Sequence, residues 1–349
     1  MQLPAISRGL LFPLIFLGAA ASSFCQPFLY VTNQNANNIS VVDTRTNTVT
    51  ATTVASFSPS GMAMSQDGSR YFSVNPNANL VVVYSAANNA VVSSFSIGQL
   101  PSAVAADAQR IYVTLHGNAA LAVFNATTFL QTASIRVGFG PNAVAVSSAN
   151  GRVYVANTYS STVSVIDPTR IGTANNPVIA TITVPDSPVA LAISTDGLSA
   201  WTLSSAIPTL SRLDLASNTV TNRIALPISP AGLALSADGT RAYVTGFGPK
   251  VSTVDIQAGA VLNTASLPEC DAPRCVAMAA AVSGDGKTVY VANTSLNQIA
   301  VMDAAKGEIT GNIRVQLAPR GLALGPAPRP PTPGPSSTTP SISGTEDKD

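Results

Sequence analysis

The chain has 349 residues, of which 10% are charged, and a formal net charge of +1; an average globular protein is about a quarter charged. Its 18 Lys and Arg residues are scattered, so no basic stripe exists to neutralise a phosphate backbone, and nucleic acid is not expected as a partner. Ala, Val, Ser, Thr and Asn dominate instead, which suits short β-strands joined by polar turns.

Taken in chain order, the first feature is a lone Arg8 followed by an apolar stretch from Leu10 to Ala21 and small residues at Ala21, Ser22 and Ser23. This pattern predicts a cleaved export signal over residues 1–25, so the mature protein is expected in the periplasm, outside the cell or at its surface. A stretch of about 12 apolar residues falls short of the ~20 that span a bilayer. No other segment is long and apolar enough, so no membrane span is expected in the mature chain. Phe24 is a poor residue to precede a lipidated Cys25.

From FLYVTN at residues 28–33 onward one pattern recurs, and its fullest copy runs from Ser229 to Pro268. That copy holds four runs with strand character: GLALS, RAYVTG, VSTVD and AVLNTASL. The aromatic of the second run, or its equivalent, falls at Tyr30, Phe72, Tyr112, Tyr154, Thr202, Tyr243 and Tyr290, with steps of 40 to 48 residues. A marker closing the third run falls at Asp43, Tyr84, Asn125, Asp167, Asp214, Asp255 and Asp303. Between the first two runs lies Asp-Gly at Asp67, Asp196, Asp238 and Asp285, the strongest short hairpin signal. Four antiparallel strands in ~40–45 residues is the period of a β-propeller blade. The N-terminus enters the pattern without a GLALS-like strand, whereas the C-terminus adds an extra PRGLALG at 319–325. Residues 26–325 are therefore read as an all-β, seven-bladed propeller, closed by a blade split between 27–54 and 319–325.

YVTN at 30–33 and YVAN at 154–157 and 290–293, each followed by N-x-[IV]-x-V-[IV]-D or a close variant, resemble the YVTN-family propeller repeat. The resemblance covers roughly residues 27–325. It implies an exported or surface-layer-type propeller and specifies the blade rather than a reaction. Related propellers include lactonases and lyases, and this architectural likeness is what an enzymatic reading rests on. Residues 326–349 are too rich in Pro, Ser and Thr to pack a core and are expected to form a disordered tail or spacer.

Loops joining strands two and three of each blade, together with the inter-blade loops, are expected on one face, here called the top, around the central channel. Most acidic residues are explained by turn chemistry, in which Asp accepts nearby backbone N–H groups. Three are left in top loops, Asp186, Glu269 and Asp271, and the single histidine, His116, lies in another. A hydrolase, lactonase-like or lyase-like site would use His116 as general base with one of these carboxylates as its partner. For binding, the candidates are Arg274, Arg320 and the asparagines that end the second strands, Asn33, Asn75, Asn157 and Asn293. These amides equally suit a structural role at the blade edge. Trp201 reads as a packing variant between blades.

Cys270 and Cys275, five positions apart, are expected to pair in an oxidising compartment and to staple the one lengthened top loop. A metal site would need further soft ligands, which a chain with one His does not supply, so no metal and no cofactor are expected. One His, few uncommitted carboxylates and no nucleophile motif favour an exported, monomeric binding or scaffold protein. Its expected partner is a protein, a peptide or a cell-envelope glycan.

Overall fold

The computed structural model describes residues 28–185, 187–270 and 275–326. The export signal and nearly all of the tail expected from the sequence lie outside these residues. Each repeat unit forms one four-stranded antiparallel sheet, giving seven sheets in all. Numbered from the N-terminus, blade I is the split one, with strands Phe28–Asn33, Asn38–Asp43 and Thr48–Val54 joined on the inner side by Pro319–Gly325. Phe28 lies opposite Gly325, Tyr30 opposite Ala323 and Val31 opposite Leu322, so the two chain ends are hydrogen-bonded neighbours. The inner strands of blades II to VII are Met62–Met64, Pro101–Ala106, Pro141–Val146, Pro188–Ile193, Ser229–Leu235 and Ala277–Val282. They touch one another in cyclic order through Pro319–Gly325, which closes the ring.

The strand patterns follow from where each strand sits. Second and third strands are sandwiched between neighbouring sheets and buried on both faces, as in Phe28–Asn33 and Asn38–Asp43, so they read as continuous apolar runs. The outer strand borders solvent and alternates, as in Thr48–Val54. Seven apolar clusters fill the seven gaps between blades. In the gap between blades I and II, Tyr30, Ile39 and Val41 pack on Tyr71, Val82 and Tyr84, and the rings of Tyr71 and Tyr84 stack at 4.7 Å.

The repeated aromatic has a structural reason. Tyr30, Phe72, Tyr112, Tyr154, Tyr243 and Tyr290 each lie opposite an alanine of the inner strand: Ala323, Ala63, Ala105, Ala145, Ala234 and Ala281. A large ring is matched with a small neighbour where the blades converge on the axis. Blade V keeps the rule, but one residue earlier than the sequence repeat suggests: Trp201, and not Thr202, stands in the place of the repeated aromatic and lies opposite Ala192, whereas Thr202 faces Leu191 as Val155 faces Val144. Trp201 is 2% exposed and packs between blades V and VI against Ile224, Ile228 and Val244, in the interblade position expected for it.

At the face opposite the top, the Asp-Gly turns share one network. Ser65, Ser194, Ser236 and Ser283 each donate Oγ–H to the aspartate two residues on, at 2.6–2.7 Å. Each serine oxygen also accepts the N–H five residues on, from Arg70, Ser199, Arg241 and Thr288. The glycines at 68, 197, 239 and 286 supply the positive φ that the turn requires.

Candidate functional site: the top face and channel mouth

The turns joining strands two and three are tied to the inter-blade loops, which puts both on one face. Gln34 N–H bonds to Ala318 O at 2.9 Å, His116 N–H to Leu100 O at 3.0 Å, Thr158 N–H to Gly140 O at 2.9 Å and Thr294 N–H to Val276 O at 2.9 Å. The residue before the proline that leads into the inner strand is left-handed at Ser58, Leu100, Gly140, Ser187 and Ala318, a conformation that costs an L-residue roughly 1–2 kcal/mol. Asparagine side chains hold several of these residues in place. Asn37 Oδ1 accepts from Ser58 N–H at 2.7 Å, Asn79 Oδ1 from Leu100 N–H at 2.9 Å and Asn297 Oδ1 from Ala318 N–H at 2.8 Å. Each turn therefore grips the loop that enters its blade and the loop that leaves it, and the rim is rigid. Sequence reasoning passed over this second set of asparagines; their spacing at the end of each turn was the available signal.

A cavity of about 510 Å³ opens at the centre of this face. His116, Leu100 and Arg320 line it, together with an apolar wall formed by Met62, Leu233, Met278 and Leu322. Arg320 follows the proline that starts the inner strand of blade I. It is half-buried, and one of its terminal nitrogens donates to Gln34 Oε1 at 2.8 Å. Burial pulls the guanidinium down from its usual high value. Among the described residues no carboxylate lines the cavity. His116 begins a one-turn 3-10 helix and stands edge-on to Tyr159, ring centres 5.1 Å apart. Its Nδ1 is buried and has no hydrogen-bond partner.

Other polar groups at the same level join neighbouring blades. Thr32 Oγ1 donates to Ser60 O at 2.7 Å, Ser102 Oγ to Pro141 O at 2.9 Å and Asn142 Nδ2 to Val189 O at 3.0 Å. The inner strands approach so closely here that a Cβ on Gly61 would stand 2.7 Å from Ser102 O. With these donors committed, Arg320 retains free N–H groups at the mouth, because a guanidinium carries five.

The structure distributes the residues singled out from sequence as follows. His116 and Arg320 line one cavity. Asn33, Asn75, Asn157 and Asn293 are fully buried in the blade tops. Asn33 Nδ2 bonds to Asn38 Oδ1 and Ser40 Oγ, both at 2.8 Å, and Asn157 Nδ2 to Ser164 Oγ at 2.9 Å. Asn75 Nδ2 reaches Ser56 O at 2.9 Å, and Asn293 Nδ2 reaches Cys270 Sγ at 3.4 Å. Glu269 is exposed, left-handed at φ 60° and apart from the cavity lining. Asp186, Asp271 and Arg274 lie outside the described residues.

Cys270 and Cys275 form a disulfide with Cα atoms 5.5 Å apart. Both pack into the apolar gap between blades VI and VII. The staple is continuous with a bond from Gly248 N–H to Cys275 O at 2.8 Å and a bridge between Phe247 and Val276, so the lengthened loop ties the two blades together. Among the described residues no group of three or more His, Cys, Asp and Glu is placed to hold a metal, and no helix is long and apolar enough to cross a membrane.

The outer part of the face is apolar. All the exposed aromatic side chains among the described residues sit at the top, Phe57, Phe139 and Tyr159 in its loops and Phe247 at the end of the strand Arg241–Phe247, and Leu100, Ile207 and Leu317 are exposed in top loops as well. Tyr159 is 73% exposed and Phe57 and Phe139 are each 63% exposed.

Propellers of known structure share this architecture. No family model and no curated protein matches the chain. Among solved structures, a protein of unknown function from Desulfotomaculum acetoxidans superimposes with a TM-score of 0.74 at 16% identity, over 86% of this chain and 99% of that one. Kuenenia stuttgartiensis hydrazine synthase gives 0.71 at 18% identity, over 77% of this chain and 90% of that one. A streptogramin B lyase gives 0.64 at 14% identity, over 85% and 91%. At these identities the likeness is one of fold.

Proposed function

We propose that this is an exported, YVTN-type propeller that binds a partner protein or peptide through its top face. The observation that carries the reading is the segregation of exposed aromatics. Exposed apolar groups grouped on one face mark interaction sites, and aromatic anchors dominate interface energetics. The rigid rim adds to this, since a pre-organised surface loses little entropy on association. Export is supported by the apolar leader of the sequence and by the disulfide, a bond that persists in oxidising compartments.

A hydrolase or lyase reading would need a carboxylate beside His116, and the acidic candidate within the described residues, Glu269, is absent from the cavity lining. The fold neighbours include proteins named as a synthase and a lyase, so architecture alone selects no chemistry.

The test is a differential capture from the source envelope, using the mature chain and two variants. Phe57→Ser combined with Phe139→Ser is expected to lose a partner that the unmodified chain retains. Leu198→Ser, at an exposed leucine of the opposite face, is expected to keep it. Equal capture by all three chains would overturn the reading.

A further inference from the structure

We infer that the channel mouth is a carboxylate subsite, in which Arg320 receives the acid group of an apolar ligand such as the hydrophobic C-terminus of a peptide. This rests on the top-face binding reading and names the chemistry at its centre. Arg320 is the one charged side chain among the described residues of a 510 Å³ cavity, and no anion of the described chain meets it. Its only polar partner given by the structure is the neutral side-chain oxygen of Gln34. That bond orients the guanidinium and leaves donors available, without neutralising the charge.

A half-buried charge held by a neutral amide is incompletely compensated, which favours an incoming anion. One guanidinium balances one negative charge, and its planar fork matches the two oxygens of a carboxylate. The remaining wall is mixed, with Met62, Leu233, Met278 and Leu322 apolar and Ser60, Ser102, His116 and Asn142 polar. A ligand with an acid at one end and a body that carries both aliphatic side chains and backbone amides therefore fits the cavity better than a hydrated inorganic anion. Beyond the cavity, Tyr159 stands against His116 of the lining and Phe57 and Phe139 are exposed in other top loops, which offers rings to the rest of a peptide.

The probes are N-acetyl-Leu-Leu with a free C-terminal acid, the same dipeptide as its C-terminal amide, hexanoate and inorganic phosphate, each titrated calorimetrically into the mature chain. The acid dipeptide is expected to bind at least about tenfold more tightly than the amide, the scale of one charge-assisted hydrogen-bonded pair. Arg320→Gln is expected to abolish the difference and Arg320→Lys to retain part of it, with both variants checked for an unchanged melting transition. Hexanoate binding as tightly as the dipeptide acid would assign the site to small organic acids and not to chain ends, within the same chemistry. Equal binding of acid and amide would overturn the inference, as would phosphate binding as tightly as the acid dipeptide or discrimination that survives Arg320→Gln. Failure here with a positive result in the capture assay removes the carboxylate subsite and leaves the docking face standing. Loss in both assays removes both.

Discussion

Trp201 and Ala192 show how tightly a single position is matched to its neighbour. In each of the seven blades a ring faces an alanine across the two inner strands, and blade V does so with the largest ring. Ala192→Leu alone overfills the gap, at a cost of about 1–3 kcal/mol. Trp201→Ala alone empties a buried site, at about 3–5 kcal/mol. The double variant exchanges the two sizes and is expected to recover at least about 1 kcal/mol relative to the sum of the singles in a denaturant double-mutant cycle. Additivity would show that the two side chains are uncoupled. The aspartates of the Asp-Gly turns offer a second residue-level test. Hydrogen bonds from Ser65 and Ser69 push Asp67 down to about 2, and bonds first from Ser194, Ser236 and Ser283 lower Asp196, Asp238 and Asp285. A carboxyl lowered on folding contributes stability that is complete above its unfolded value near 4 and disappears as pH falls through the folded value. The melting temperature is therefore expected to drop between pH 4 and 2. Replacing all four residues by Asn should flatten that limb by lowering the melting temperature at pH 7 toward its acid value, because the neutral amide oxygen still accepts the turn bonds but more weakly than the carboxylate.

Single elements show where the sequence was legible and where it was not. The alternation of the outer strands and the Asp-Gly hairpins could be read directly, because period-2 exposure and positive φ each demand particular residue types. The top rim could not be read in the same way. Asn33 and Asn37 look alike in sequence, yet one is buried beneath Asn38 and Ser40 and the other clamps Ser58 in the following loop. Only the ring brings those partners together. The meeting of His116 with Arg320 was equally invisible, since they lie two blades apart and nothing local joins them. The Cys270–Cys275 pair was legible from spacing, and its energetic weight can be measured. A closed loop of this length restricts the unfolded chain by about 2 kcal/mol. Cys270→Ala with Cys275→Ala should lower unfolding free energy by at least that amount, because both residues are also packed between blades VI and VII. Reductant should then destabilise the parent chain and leave the variant unchanged.

At the scale of the whole molecule, the ring is closed by hydrogen bonds in one blade and by side-chain packing in the seven gaps between blades. The two modes differ in strength, and the split blade shows why the chain ends matter. Opening the ring at blade I breaks a strand ladder from Phe28–Gly325 to Asn33–Pro319 and exposes a sheet edge. Opening it between blades I and II breaks mainly the cluster of Tyr30, Ile39, Tyr71 and Tyr84, with side-chain bonds such as Thr32 to Ser60. Because Phe28 stands opposite Gly325, an Asn-Gly turn of about two residues can join them as a hairpin. A circular permutant with that junction and new ends in the exposed loop at Phe57 keeps all seven sheets intact but closes the ring through packing alone. It is expected to fold with an unchanged far-ultraviolet spectrum, melt at a lower temperature and unfold faster, since the strand ladder no longer pins the ring shut. A chain ending at Ala318 loses the inner strand of blade I altogether and is expected to aggregate or to lose cooperative unfolding, whereas one ending at Pro326 keeps it and serves as the reference. If the permutant melted with the reference, the ladder would add nothing to closure beyond what interblade packing supplies.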